Sequence, residues 1–196
     1  MNKNKDTNEV YEKDEVITFP VPIILEEDNE KKNLSKSSKE QIIRQAIKFH
    51  SEGNITQAIK YYKICLKQGI NNAQVFSNYG ILLKDIEQLK EAEIFIRRAI
   101  ELKPDYAIAH NNLGNILIDL GKFKEAESST RKAIELKPDY ANAYNTLGNV
   151  LTELGKLNDA EISYSKAISL KPNHEASHIN RGQLFFDKKE FEKALI

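Results

Sequence analysis

The chain has 196 residues, of which 40% are hydrophobic and 30% charged, a balance typical of a folded, helix-rich protein rather than a disordered one. Its 29 basic and 29 acidic residues cancel, which argues against nucleic acid or an anionic membrane surface as a partner. The only cysteine, Cys65, cannot form an internal disulfide, and no apolar leader follows the first residues, so a cytoplasmic location is predicted.

Residues 1–38 hold no repeat and carry six basic and nine acidic side chains. We predict that they form an acidic, disordered N-terminal arm. The longest apolar run in it, Val16 to Leu25, is broken by Pro20 and Pro22 and is too short to span a bilayer. It is instead a candidate for an extended docking segment.

From there on, the sequence is periodic. Lys-Pro pairs recur at Pro104, Pro138 and Pro172, each 34 residues from the last. The segments 105–138 and 139–172 agree at 21 of 34 positions. A period of this length predicts a helical solenoid, in which each repeat buries its apolar side against its neighbours.

Each period divides into two helices. The first is predicted over Ala107 to Leu120 and ends at Gly121, because glycine accepts the left-handed conformation that follows a helix. The second is predicted over Lys124 to Leu136 and ends before Pro138, which cannot continue a helix.

Within each period, small and large residues fall at fixed places. When the units are numbered so that the prolines stand at position 32, Leu147 is at position 7, Gly148 at 8, Ala160 at 20, Tyr164 at 24 and Ala167 at 27. These residues resemble the tetratricopeptide repeat (TPR) family. That resemblance implies an all-α, right-handed helix-turn-helix solenoid of about four and two-thirds repeats. The repeats span residues 39–72, 73–106, 107–140, 141–174 and, in part, 175–196.

The last unit stops inside its predicted second helix, Glu190 to Ile196. So short a helix would cover Leu184 and Phe185 poorly. We therefore predict that Phe185, Phe191 and Leu195 stay partly exposed and that the C-terminal end either docks a partner or associates with a second copy of the chain.

Two candidate chemical sites have a simpler explanation in the repeat. The segment from His174 to His178 matches the H-E-x-x-H zinc pattern. However, His174 falls in the turn between repeats, and His178 falls at position 4, where packing residues are expected. Cys65 falls at position 27, where other units have alanine, so it is predicted to be a buried structural residue. We expect no metal, cofactor or catalytic site.

Asparagines recur on the first helices. At about 100° per residue, position 6 points away from the partner helix, and positions 5 and 9 flank it. Asparagine is a poor helix former, so its repetition calls for a reason: either recognition of a peptide backbone or duplication of the repeat. The row is similar to the asparagine ladder of the TPR superhelix of O-linked N-acetylglucosamine transferase, which implies a groove for extended peptides. The predicted asparagine ladder comprises Asn78, Asn111, Asn112, Asn115, Asn145, Thr146, Asn149 and Asn180.

Together these features predict a non-catalytic scaffold for protein–protein interaction, with an extended peptide or partner protein in a concave groove. Two alternatives remain open. One is the substrate-recognition arm of a larger glycosyl-, sulfo- or methyltransferase, and the other is a purely structural spacer. The family's chaperone-binding type has lysine at position 5, where this chain has Ile43, Ser77, Asn111, Asn145 and Ile179, so chaperone-tail binding is not expected.

Overall fold

The computed structural model describes the backbone of residues 35–194 and the side chains of residues 35–187. Within this range all regular structure is helical, as predicted, and the chain runs through consecutive α-helices. They are α1 (Lys36–Ser51), α2 (Ile55–Lys67), α3 (Ala73–Asp85), α4 (Leu89–Leu102), α5 (Ala107–Asp119), α6 (Phe123–Leu136), α7 (Ala141–Glu153), α8 (Leu157–Leu170) and α9 (Glu175–Ala194).

The predicted N-terminal arm falls almost entirely outside the described residues, including Val16 to Leu25. Its predicted boundary at residue 38 is too late, because α1 already begins at Lys36. Ser35 caps this helix by accepting a hydrogen bond from the Ser38 N–H at 3.2 Å.

The helices pack as antiparallel pairs: α1 with α2, α3 with α4, α5 with α6, and α7 with α8. Each second helix then packs on the first helix of the next pair, which makes the stack a solenoid. Consecutive first helices also contact one another, α3 with α5, α5 with α7, and α7 with α9. We call the side of the stack on which these contacts lie the first-helix face.

The turn inside each pair depends on a left-handed residue. Gly121 has φ 71°, and the Lys122 N–H that follows it donates to the Leu117 carbonyl at 2.8 Å, which satisfies one of the last carbonyls of α5. In the second unit Glu87 takes this place with φ 62°. A side chain is therefore tolerated at this place.

Close approach of the paired helices explains the glycine at position 8. A Cβ atom on Gly148 would overlap the ring of Tyr164, which is itself buried. Leu113 and Leu147 at position 7 are 4% and 5% exposed, so they fill the space between the helices of their pairs, as the sequence predicts.

The last unit differs from its prediction. The sequence predicts a turn and a second helix beginning at Glu190, but α9 continues without a break to Ala194. Lys189 stands where Gly53, Gly121 and Gly155 make the turn, and a left-handed lysine costs about 1–2 kcal/mol. The backbone stays helical through this position instead.

The continuous helix α9 also changes which side chains are buried in the last repeat. Leu184, predicted to be poorly covered, is 2% exposed because it packs with Leu147, Leu151 and Tyr164 of the preceding unit. Phe185 is 47% exposed, in agreement with prediction. The side chains of Phe191 and Leu195 lie outside the described residues, and self-association through this end stays a prediction.

Candidate binding surface on the first helices

The asparagines of the first helices bond to one another across repeats. Asn180 of α9 donates its amide hydrogens to Oδ1 of Asn145 at 3.2 Å and to Oδ1 of Asn149 at 2.8 Å, both on α7. One repeat earlier, Thr146 of α7 donates to Oδ1 of Asn115 at 3.1 Å. Bonds between side chains therefore join α5 to α7 and α7 to α9 along the first-helix face.

The same pattern continues toward the N-terminus with a serine. Asn112 of α5 donates an amide hydrogen to Oγ of Ser77 on α3 at 3.2 Å. Position 6 thus contacts the preceding first helix in each of these repeats, a neighbour that the rotation about a single helix axis did not take into account. Asn78, Asn112 and Asn180 are half-buried rather than exposed.

Two members of the predicted asparagine ladder do not present their side chains to solvent. Asn111 is 4% exposed and Thr146 is 3% exposed. The interface between first helices covers both, so a ligand on the surface could not reach them without moving a neighbouring side chain. The prediction that they line an open groove is wrong for these two residues.

Asn111 is distinctive because its Oδ1 is buried with no hydrogen-bond partner. The equivalent oxygen, Oδ1 of Asn145, accepts from Asn180 and from Oγ of Ser177, the latter at 3.0 Å. One repeat earlier, Thr146 stands at the position of Asn180, and Ala143 stands at the position of Ser177. Thr146 donates to Asn115 instead, and the alanine has no donor, so the Asn111 oxygen has no partner.

A tyrosine at position 24 ties the second helix α8 to this polar row. The Tyr164 hydroxyl donates to Oδ1 of Asn149 at 2.9 Å. At the same position of the first repeat, the Tyr62 hydroxyl lies 3.3 Å from Nδ1 of His50, and burial raises the pKa of Tyr62 to about 12. Burial likewise raises the pKa of Tyr164. Both phenols therefore stay protonated at neutral pH, and that of Tyr164 is the donor in its bond to Asn149.

The H-E-x-x-H segment is a structural cap. Nδ1 of His174 accepts from the Ser177 N–H at 3.3 Å at the start of α9, while Nε2 lies 2.9 Å from Oδ1 of Asn142. Burial lowers the pKa of His174, which favours this neutral tautomer. His178 is exposed rather than packed, contrary to the prediction for position 4, and its Nε2 bonds the Pro172 carbonyl at 2.8 Å.

Cys65 is fully buried, and its burial raises the pKa of the thiol to about 11. The thiol is therefore neutral and inaccessible, as expected of a structural residue. Among the described residues, no three His, Cys, Asp or Glu side chains converge on a point where they could hold a metal ion.

Sequence reasoning missed Ser77, Ser177 and Tyr164 as partners of the asparagine ladder. Repetition along the chain gave no signal for the two serines, because the other repeats carry isoleucine or asparagine at the place of Ser77 and alanine, valine or glutamine at the place of Ser177. Their bonds depend on the offset between consecutive repeats, which the period alone does not give.

Within residues 35–194 no helix combines the length and the hydropathy needed to cross a bilayer. The paired helices, their period and the contacts between successive first helices define a helical repeat protein of the solenoid class. Tetratricopeptide repeat profiles match residues 73–106, 107–140 and 141–174, more than half of the chain. The chain belongs to the tetratricopeptide repeat family.

Several solved structures share this fold. MamA is 25% identical, with a TM-score of 0.66 over 82% of this chain and 88% of MamA. YrrB, described as a TPR protein with an unusual peptide-binding site, is 23% identical, with a TM-score of 0.65 over 76% of each chain. The first TPR of Spaghetti, solved with an HSP90 peptide, is 22% identical, with a TM-score of 0.57 over 61% of this chain and 98% of that one. No curated protein sequence matches with significance. TPR proteins in general mediate interactions with proteins or peptides.

Proposed function

We propose that this chain is a non-catalytic, cytoplasmic scaffold whose first-helix face is the concave side of the stack and binds an extended peptide of a partner protein. The observation that carries the proposal is the row of side-chain amides that runs from α3 to α9. It places polar groups at regular spacing along the direction in which an extended chain would lie.

These amides keep hydrogen-bonding capacity after they bond to one another. An asparagine side chain has two donor hydrogens and an acceptor oxygen with two lone pairs. The bond from Asn112 to Ser77 uses one donor hydrogen of Asn112. The remaining groups suit the alternating N–H and C=O groups of a peptide backbone, which would make recognition tolerant of peptide sequence.

The contacts within the row also give a physical reason for its rigidity. Asn149 accepts from both Asn180 and Tyr164, so its amide plane is fixed before any ligand arrives. A preorganised row loses little side-chain entropy on binding. The similarity to YrrB, which is described as having a peptide-binding site, supports the same class of ligand.

The test is peptide selection followed by matched substitutions. Peptides enriched from a random display library on the immobilised chain are measured by calorimetry against the wild type, Asn112→Ala and Asn149→Ala. The control variant is Lys124→Ala, an exposed change on the second helix α6. Circular dichroism establishes that each variant keeps its helicity.

The proposal requires that each asparagine variant weaken the selected peptides by about tenfold, the effect of losing one or two hydrogen bonds in a buried contact. Lys124→Ala should leave the affinity unchanged. If no peptide is enriched, or if peptides bind the asparagine variants as tightly as the wild type, the first-helix face is not the binding site.

A further inference from the structure

A cleft of about 510 Å³ opens between α4, α5 and α6, away from the asparagine ladder. Its apolar wall is formed by Ile100 of α4 together with Leu113 and Leu117 of α5. Ser128 and Ser129 of α6 form the opposite wall. The volume falls within the range of small-molecule and side-chain binding pockets.

Comparison with the preceding repeat shows what this cleft lacks. Thirty-four residues before Ser129 stands Phe95, which is 7% exposed. The ring of Phe95 stacks on Phe76 at 6.0 Å between centroids and meets Tyr79 edge-on at 4.8 Å. In the second repeat, therefore, an aromatic cluster fills the space between the two helices.

In the third repeat all three aromatic positions are changed. Ser129 replaces Phe95, His110 replaces Phe76, and Leu113 replaces Tyr79. Nε2 of His110 lies 2.9 Å from the Pro104 carbonyl, so its ring borders the cleft and is held at the turn before α5. The cleft lies beside Ser129, at the place where the Phe95 ring stands in the second repeat.

The charged residues at the rim are all paired within the chain. Arg97 bonds to Glu93 and Glu125, each at 2.8 Å. Lys132 bonds to Glu135, and Glu101 to Arg98, each at 2.7 Å. Two cations and two anions line the cleft, so their charges cancel and the surroundings favour an uncharged occupant over an ionic one.

We infer that this cleft binds an aromatic side chain projecting from a partner protein, a ring that takes the place Phe95 occupies one repeat earlier. The apolar wall would pack against the ring, and the serine and histidine groups would border its edge. Aromatic side chains serve as anchors at protein interfaces because a single ring buries a large area at low entropic cost.

This site is separate from the proposed peptide groove. No member of the asparagine ladder lines the cleft. A failure of the groove variants would leave the cleft untouched, and a failure of the cleft would leave the groove untouched.

The test uses N-acetyl-L-phenylalaninamide as the probe and N-acetyl-L-alaninamide as its control. Each is titrated into the full chain while the methyl NMR signals of Ile100, Leu113 and Leu117 are followed. A single ring binds weakly, so a dissociation constant on the order of 1–10 mM is expected for the phenyl compound. The alanine compound should cause no saturable shift.

Ser129→Phe provides the decisive variant, because it supplies the missing ring from within the chain. It should abolish the shifts while leaving the helicity intact, and His110→Phe, which fills the cleft from α5, serves if the first variant fails to fold. Ser169→Phe adds a ring on an exposed part of α8 and should bind the probe like the wild type.

The inference is overturned if the phenyl compound produces no saturable shift at these methyls, or if the alanine compound shifts them equally. It is also overturned if a folded, cleft-filled variant still binds the probe with unchanged affinity.

Discussion

Thr146 donates its hydroxyl hydrogen to Oδ1 of Asn115 across the contact between α7 and α5, at 3.1 Å. This single hydroxyl takes the place where Asn180, one repeat later, supplies two amide hydrogens. Thr146 therefore satisfies Asn115 and leaves the buried Oδ1 of Asn111 without a donor. A buried, unpaired acceptor costs on the order of 1–3 kcal/mol.

We expect Thr146→Asn to stabilise the chain by about 1 kcal/mol, because an amide at this place can reach Asn111 and Asn115 together. Urea unfolding followed by circular dichroism measures the change. The matched variant Thr146→Val removes the hydroxyl without changing the volume much and should destabilise. If Thr146→Asn lowers stability as Thr146→Val does, the larger side chain does not fit and the proposed geometry of the bond is wrong.

Substitution of a packed leucine should be costly. Leu113→Ala or Leu147→Ala should lower the free energy of unfolding by about 2–5 kcal/mol, because each leaves a cavity between paired helices. Neighbouring repeats share interfaces, so the loss should spread along the array. Ile162, which is 67% exposed, is the control, and Ile162→Ala should change stability by less than about 0.5 kcal/mol. Equal melting curves for the core and control variants would show that the assigned register is incorrect.

Alanine substitution should change the stability in opposite directions at two glycines that share a repeat position, Gly148 and Gly182. A Cβ on Gly148 overlaps the ring of Tyr164, so Gly148→Ala should destabilise by about 1–3 kcal/mol. A Cβ on Gly182 meets nothing within 4 Å. Gly182→Ala should therefore raise the free energy of unfolding by up to about 1 kcal/mol, because alanine is the better helix former. Thermal melts of the two variants decide the matter. A stabilising Gly148→Ala would mean that α7 and α8 are not in close contact.

Acid should weaken the fold before the carboxylates titrate. Burial lowers the pKa values of His50 and His174 below the ordinary histidine value of 6.5, so the unfolded chain binds protons more readily than the folded one. Their contribution to stability is present above that value and is lost as the pH falls through the lowered pKa values. We expect the free energy of unfolding to fall between about pH 7.5 and pH 5.

His174→Asn is the control for this pH effect, because asparagine keeps an N-cap acceptor but does not titrate in this range. Urea unfolding at several pH values gives the free energy of unfolding as a function of pH. This free energy should fall less steeply with acid in the variant than in the wild type. A slope that is unchanged in His174→Asn would assign the effect to His50 or to other groups.

Much of the fold follows from the sequence, because it depends on local chemistry repeated at a fixed interval. Gly121 ends α5 and Pro138 follows α6, as the preferences of these two residues predict. The prediction failed where no such signal operates: Lys189 does not make the turn, and α9 continues through it. Glu87 shows that a non-glycine residue can adopt the left-handed conformation at this place, so the residue type alone does not decide whether the chain turns.

The candidate site was predicted less well than the fold. The rows of asparagine were visible from spacing, but their burial was not, because rotation about one helix axis ignores the neighbouring first helix. Asn111 and Thr146 are covered by that neighbour. The cleft beside Ser129 was missed as well, although a comparison with Phe95 and Phe76 at the same repeat positions could have indicated it.

The sequence by itself determined the class of protein, the period, the helix ends that a glycine or proline marks, and the packing positions such as Leu113 and Leu147, because each depends on residue preferences that repeat along the chain. The tertiary structure alone decided which polar groups find partners. The offset between consecutive repeats brings Asn180 to Asn149, brings Thr146 to Asn115, and leaves Asn111 unpaired. That offset arises from the packing of whole helices on their neighbours, a property of the stacked surfaces that no single repeat carries.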